Sequence, residues 1–370
     1  MRVVCVAGAR PNFMKIKPVV DALEQQGMTT LVVHTGQHYD PAMSAVFFEE
    51  LGLRDPDVHL EVGSGTHAVQ TAKVMSAFEP VVTDWQPDWV LVAGDVNSSV
   101  AAALVAAKAG AYVGHIEAGL RSRDWTMPEE VNRVVVDRVS DLLFAPSADA
   151  ADNLRAEGYR DDQIVLAGNV MIDTLLANVE RARATSMIAD LGLQPDGYGV
   201  VTLHRPANVD DPASLRPLLE ALGRVSERVP LVYPVHPRAL EMVRSLGVPD
   251  TVRLVPPASY LSFIGLVADA RLVLTDSGGV QEETTVLGVP CLTLRDNTER
   301  PITISEGTNI LVGRDPERIV AAAEQVLAVR PERRRPELWD GHASLRIAAA
   351  IAAVGPRSAR RLRRPTELAD

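Results

Sequence analysis

The sequence predicts an α/β protein made of two Rossmann-like, doubly wound domains facing a central cleft, and three observations predict it. Short apolar runs bounded by turn residues recur along the whole chain, and amphipathic or Ala-rich stretches of helical period separate them, as in successive βα units. The cores are aliphatic: hydrophobic residues make up 46% of the chain and aromatics only 4%, the usual filling of parallel sheets covered by helices. The 370 residues are too many for one ordinary domain, and eleven such runs too many for one comfortable sheet, so two sheets in two domains are the economical reading.

Taken in order, the first half offers strands at Val3–Ala7, Leu31–His34, Val90–Ala93, Val113–Ile116, Leu142–Ala145 and Ile164–Ala167. The second half repeats the style at Val200–Leu203, Leu231–Val235, Val252–Val255, Leu272–Thr275 and Cys291–Leu294. Helices are predicted at Lys15–Gln26, His67–Trp85, Ser98–Ala109, Glu129–Ser140, Ala148–Glu157, Ser214–Ser226, Tyr260–Val267, Val280–Leu287 and Pro316–Val329. The boundary falls near Gly168–Gly197, giving domains at 1–172 and 173–350, with Ala-rich Leu345–Val354 as a closing helix and 351–370 as a tail. Arg357, Arg360, Arg361, Arg363 and Arg364 make that tail a solvated end or a segment packing back on the first domain, with anion binding as the alternative.

Acidic residues outnumber basic ones by 48 to 37, for a net charge of −11 and a pI near 5.3. A general affinity for nucleic acid or anionic membranes is therefore not expected, and small molecules are the expected partners. Cys5 and Cys291 are the only cysteines and lie inside apolar runs, which suits core residues in a reducing compartment better than a disulfide. The amino terminus enters a strand at once, with too short an apolar run for a signal peptide. No segment reaches the roughly 20 apolar residues that a membrane span needs, so a cytoplasmic, soluble protein is expected.

Ligands of open parallel sheets gather beyond the carboxyl ends of the strands, so polar residues there are the candidates for chemistry. The richest such stretch is Leu272–Glu283: a buried strand, a turn opened by Gly278 and Gly279, and a helix whose first turn carries Glu282 and Glu283. Small residues and free N–H groups at a helix start form an anion seat. A plain helix cap at Ser277 is the alternative. Other strands deliver Gly8–Asn12 with Lys15, Thr35–His38, Gly94–Ser98, His115–Gly119 with Arg121, His204-Arg205, His236–Arg238 and Arg295–Arg300.

The charges divide by type. The first half supplies the acids Asp95, Glu117 and Glu129, and the second supplies His204, His236, Ser277 and Arg300, as if one half held a phosphorylated group while carbon chemistry ran against the other. Asp95 and Glu129 can also be read as charges at helix starts, and Glu117 as a salt-bridge partner of Arg121 or Arg133. Other chemistries fit less well. Gly8-Ala9-Arg10-Pro11 lacks the glycine spacing of a dinucleotide fingerprint, and there is no P-loop and no G-x-S-x-G elbow. His34 and His38 are separated by Gly36 where no helix is expected, so neither a metal nor another cofactor is expected.

Several long motifs in register carry a resemblance. Gly8–Lys15, His34–His38, Gly94-Asp95, His115–Arg121, Pro128–Arg133, Thr275–Glu283 and Arg295–Pro301 closely resemble the non-hydrolysing UDP-N-acetylglucosamine 2-epimerases, in the same order from the first strand to about Gly313. The resemblance implies a GT-B-like pair of Rossmann domains, a cytoplasmic homodimer, and interconversion of UDP-GlcNAc and UDP-ManNAc. The family's route is elimination of UDP from C1 with loss of the C2 proton, a bound glycal, and re-addition with protonation on the other face. No nicotinamide is needed. By resemblance Asp95, Glu117 and Glu129 are the acid/base candidates, and His204 lies where the family has an essential histidine near the leaving group. Arg10 and His236, with Ser277, Gly278 and Gly279, would hold the diphosphate and uridine side. Glu283 would accept the ribose hydroxyls, and Lys15 and Arg300 would add charge near the phosphates.

The chain also departs from the family's pattern. It has Arg205-Pro206-Ala207-Asn208 where many members have Arg-Arg-Glu-Asn. Many bacterial members are activated by a second UDP-GlcNAc bound beside the active site. Gln37 and His38 are present for that, but Gly63–His67 lacks the Arg-Gln or Gly-Gln of those members, which predicts that such activation does not survive unchanged. A GT-B glycosyltransferase, a hydrolysing epimerase releasing UDP and ManNAc, and a non-catalytic nucleotide-sugar binder are the rival readings. Three acids in the first half argue against the transferase, which needs one base and an acceptor groove.

Overall fold

A central parallel strand must be apolar on both faces, and the sequence supplies such runs: Trp89–Ala93 and Tyr112–Ile116 are buried at every position. In the computed structural model, which describes residues 1–8, 10–36 and 49–356, the runs form two parallel sheets of seven and six strands. The chain divides into two compact units, Met1–Thr174 with the segment from Glu337 onward, and Leu175–Pro336.

The first unit holds β1 (Arg2–Ala7), β2 (Thr29–His34), β3 (Val58–His59), β4 (Trp89–Ala93), β5 (Tyr112–Ile116), β6 (Leu142–Ala145) and β7 (Ile164–Leu166), in the order β3-β2-β1-β4-β5-β6-β7. The order reverses between β1 and β4, which opens a crevice beyond their carboxyl ends. Helices His67–Trp85, Asn97–Ala109 and Pro128–Val139 pack in sequence, the first two over a core that includes Val74, Phe78, Val100 and Ala103. The second unit holds β8 (Gly199–Thr202), β9 (Leu231–Pro234), β10 (Val252–Val255), β11 (Leu272–Thr275), β12 (Cys291–Thr293) and β13 (Asn309–Leu311), in the order β10-β9-β8-β11-β12-β13. Its reversal lies between β8 and β11. Among the described residues no helix is long and apolar enough to cross a membrane.

Three features differ from the expectations. The strands β3 and β13 span only two and three residues, too few to show a period in the sequence. Helix Val170–Arg183 occupies the expected linker, and the division between the units falls inside it. The second unit ends at Pro336 and not at 350, because the segment beyond Pro336 is anchored to the first unit. Trp339 is buried and donates Nε1–H to the Pro146 carbonyl at 2.8 Å. Helix Ala343–Val354 buries Ile347, Ala348 and Ile351, packs on helix Arg10–Gln25, and has its first N–H groups capped by Asp173, which accepts from Ala343 at 3.1 Å and Ser344 at 2.7 Å. The arginines of the tail from 357 onward lie outside the described residues.

Candidate active site

In the first unit, β4 ends at Ala93 and Gly94 turns the chain with φ +66°, a conformation that suits a residue without Cβ. Asp95 is the next residue. Its carboxylate pairs with Arg133, and its backbone carbonyl accepts the Asn132 amide at 2.8 Å. Glu117 comes directly after β5 with φ +73°, a left-handed conformation uncommon and costly outside glycine. Its N–H is tied to the Phe144 carbonyl at 3.1 Å, and its carboxylate pairs with the Lys15 ammonium. An ideal Cβ on Gly94 would lie 3.2 Å from both Glu117 Oε2 and Lys15 Nζ, so this ion pair closes over the residue before Asp95.

Glu129 sits half-buried in the first turn of helix Pro128–Val139, and its carboxylate has no hydrogen bond among the described residues. Its neighbour Glu130 does the structural work. That carboxylate is buried, accepts the N–H groups of Ser122 and Arg123 at 2.9 Å each, and pairs with Arg133 at 2.6 Å. Burial pushes the Glu130 carboxyl up, but these bonds outweigh it and hold it below the usual range. The helix therefore carries one outward acid and one that fixes the preceding loop.

In the second unit β8 and β11 are neighbours, so the residues beyond them meet. The Asp276 carboxylate, fully buried, accepts the N–H groups of His204 (3.1 Å) and Arg205 (2.9 Å) and the Asn208 amide (3.1 Å), and lies 2.8 Å from His204 Nδ1. Burial pushes the Asp276 carboxyl up; the bonds from His204, with those from the backbone, overcome it and keep the group below its ordinary value. The ring of His204 is thus held by Nδ1, leaving Nε2 to the partly exposed side. His236 is exposed, its ring centroid 6.5 Å from that of His204.

Ser277 is the N-cap residue of helix Gly278–Leu287, yet its side chain makes no capping bond, so the glycines form the helix's first turn and not a separate turn before it. The two glycines have different reasons. A Cβ on Gly278 would lie 2.6 Å from Arg300 Nη1 and 2.9 Å from Glu299 Oε1, whereas a Cβ on Gly279 would meet nothing within 4 Å. Gly278 makes room for the protein's own side chains, and Gly279 leaves open space at a helix N-terminus.

Glu283, one turn on, is buried. Burial and the neighbouring Glu282 push its carboxyl up to about 8, and the Tyr260 hydroxyl, 3.4 Å away, only partly offsets this. Arg300 is held by Glu282 (2.7 Å) and Glu299 (2.6 Å), so its charge is matched within the unit.

Several positions depart from the sequence reading. Glu117 pairs with Lys15, not with Arg121 or Arg133; Arg121 instead pairs with Asp137 and Glu157. Lys15 accordingly stands with the acids. The Arg10 side chain, Gln37 and His38 lie outside the described residues. Sequence reasoning offers Arg133 to Glu117 where it pairs with Asp95, and gives Asp276 no role, although Asp276 carries the same signal as Glu117, a carboxylate directly after a buried strand. Cys5 and Cys291 are buried, with thiols pushed up to about 12 by burial, as inert core residues would be. Among the described residues no group of three or more His, Cys, Asp or Glu is arranged to hold a metal ion.

Comparison with known proteins shows the family. The family model for UDP-N-acetylglucosamine 2-epimerase matches residues 21–352. The chain is 41% identical to the UDP-N-acetylglucosamine 2-epimerase of Methanocaldococcus jannaschii, over 88% of this chain and 92% of that one. It is 42% identical to the UDP-2,3-diacetamido-2,3-dideoxy-D-glucuronate 2-epimerase of Pseudomonas aeruginosa, over 95% of this chain and 99% of that one. The crystal structure of the M. jannaschii enzyme in complex with UDP-GlcNAc and UDP matches with a TM-score of 0.88 at 39% identity, covering 95% of this chain and all of that one (100%).

Proposed function

Because the chain belongs to the UDP-N-acetylglucosamine 2-epimerase family, we propose that it interconverts UDP-GlcNAc and UDP-ManNAc by eliminating and re-adding UDP. The observation that carries this reading is Glu117, a carboxylate held at φ +73° beside Lys15 and next to the Asp95 turn. Strain of that kind persists where a side chain has to be aimed. In the reaction one carboxylate of the set Asp95, Glu117 and Glu129 removes the C2 proton. The C1–O bond breaks with its electron pair leaving on the β-phosphate, and a C1–C2 double bond forms. In the return, UDP oxygen bonds to C1 while C2 takes a proton from an acid on the other face.

The second unit's groups suit the leaving UDP. His204, braced by Asp276, and the open helix start at Gly279 would receive the diphosphate, with His236 beside them. Glu283 would bind the ribose hydroxyls. Lys15 would balance the acids, and Arg300 would hold the anion loop to its helix. The enzyme would work as a cytoplasmic homodimer, the state the family resemblance implies.

Incubation with UDP-GlcNAc in deuterated water tests the proposal. Deuterium should enter at C2 and UDP-ManNAc should accumulate without matching release of free UDP. Recovery of unlabelled substrate would remove UDP-GlcNAc as the substrate, and stoichiometric UDP would point to a hydrolysing epimerase. A second reading, favoured by the 42% identity to the P. aeruginosa enzyme, is C2 epimerisation of UDP-2,3-diacetamido-2,3-dideoxy-D-glucuronate. The same experiment run with that nucleotide sugar separates the two.

A further inference from the structure

Behind the three candidate acids lies a carboxylate that no solvent reaches. Asp137, near the end of helix Pro128–Val139, is fully buried. Its Oδ1 lies 2.6 Å from His115 Nδ1, and the other nitrogen of that buried ring, Nε2, lies 3.1 Å from the Gly94 carbonyl. Its Oδ2 accepts the Gly119 N–H at 3.2 Å and pairs with Arg121 at 2.7 Å. One side chain thus reaches the residue before Asp95, through His115, and the turn two residues after Glu117, directly. It does so from the helix whose first turn carries Glu129.

We propose that Asp137 is the positioning residue common to all three acids, fixing the Gly94-Asp95 turn and the Glu117–Gly119 turn against the Glu129 helix. The assignment rests on the proposed acid/base role of Asp95, Glu117 and Glu129. The side chains of Asp95 and Glu117 are pinned by Arg133, which shares the Asp137 helix, and by Lys15, and Asn132 of that helix holds the Asp95 carbonyl; the carbonyl of Gly94 and the N–H of Gly119 are reached by the His115–Asp137 pair. Both turns contain left-handed residues; Gly94 at φ +66° and Gly119 at +82° adopt that conformation freely, but Glu117 at +73° does not and needs support from its surroundings. The buried His115–Asp137–Arg121 network supplies the support: its charges are satisfied within the network, and a displaced turn would leave an Asp137 or His115 hydrogen bond unmade in the core. Acid and base must flank one carbon on opposite faces, and a misplacement of about 1 Å can cost on the order of 100-fold in rate.

The test is Asp137→Asn, which keeps the shape but replaces one acceptor oxygen by a donor, facing either His115 Nδ1 or the Gly119 and Arg121 N–H groups. Val136→Ala serves as the control; Val136 is equally buried, next in the chain, and belongs to the apolar core. Asp137→Asn should lower kcat by about 10- to 100-fold, with KM and the Kd for UDP within about twofold of wild type. Val136→Ala should retain wild-type kcat per folded molecule. Equal losses in both variants, or a loss shared by kcat, KM and UDP affinity, would reduce Asp137 to a fold-stabilising residue and overturn the proposal. A crystal structure of Asp137→Asn gives a readout independent of turnover: displaced Gly94-Asp95 and Glu117–Gly119 turns are expected, and turns superposing on the wild type overturn the assignment. If Asp137→Asn does not fold, Asp137→Glu and Arg121→Lys take its place under the same criteria. Absence of turnover by the wild type on either nucleotide sugar would count against the proposed function alone, leaving the crystallographic arm to decide Asp137.

Discussion

Glu117 and Asp276 each come directly after a central strand, β5 in the first unit and β11 in the second; both are buried, and they differ in what they hold. Asp276 turns inward, is fully buried, and collects backbone N–H groups and the His204 ring, so that its charge serves the fold and braces a histidine. Glu117 takes a left-handed backbone and carries its carboxylate to Lys15 beside the Gly94 turn. The conformation of one residue decides whether a strand-end carboxylate braces the loop beyond its neighbouring strand or turns to a cation on a helix. Around that choice the two units diverge. The first presents acids matched by cations, Glu117 with Lys15 and Asp95 with Arg133; the second presents a braced histidine and an open helix start.

The largest expected effect breaks the comparison from the first unit's side. Glu117→Gln should reduce C2 deuterium exchange by about 10²- to 10⁴-fold while UDP affinity, measured by calorimetry, stays within a few-fold. A parallel loss of UDP affinity would mean that the division of labour between the units is wrong. Next comes the glycine pair in the second unit. Gly279→Ala meets open space in the first turn of its helix, so its melting temperature should hold, yet UDP binding should weaken about tenfold or more as the Cβ enters the proposed anion seat. Gly278→Ala meets Arg300 and should lower the melting temperature. Unaltered UDP affinity in Gly279→Ala would remove that position from the ligand site.

The last prediction concerns Glu283 and is read in stability against pH, with only a secondary effect on UDP binding. Its folded-state value of about 8 lies above the ordinary 4.5, so the folded protein holds the proton more tightly than the unfolded chain does. The stability this contributes is full below about 4.5 and is lost as pH rises towards 8. Glu283→Gln should therefore gain stability relative to wild type between about pH 5 and pH 9 in urea unfolding, with weaker UDP binding if the carboxylate meets the ribose. A difference between the two proteins that does not change with pH would show that Glu283 is not protonated preferentially in the fold.

How much of this is legible in the sequence depends on range. Strands β6, β10 and β11 and helix His67–Trp85 have the bounds read from the sequence, because an apolar run or a helical period is a local property. The two-sheet α/β class comes from repeating that local pattern. β3 and β13 are not legible, since two or three residues at a sheet edge are made strands by their neighbours. The motifs put Asp95, Glu117, Glu129 and His204 at strand ends and a helix start, and place Gly278-Gly279 at the start of a helix, but spacing does not tell that Gly278 makes room for Arg300 while Gly279 faces open space.

What the sequence by itself determined is therefore the series of βα units and which polar residues stand beyond their strands, both set by composition and spacing along the chain. Tertiary structure alone decided the partners. Lys15 reaches Glu117, Arg133 reaches Asp95, and Asp137 lies behind both turns, across separations from 18 residues to 102, while Asp276 reaches His204 from a neighbouring strand. It also decided that Trp339 and helix Ala343–Val354 belong to the first unit. Ion pairs and buried hydrogen bonds depend on distance in space, and chain spacing carries no record of which loop a crossover brings alongside another.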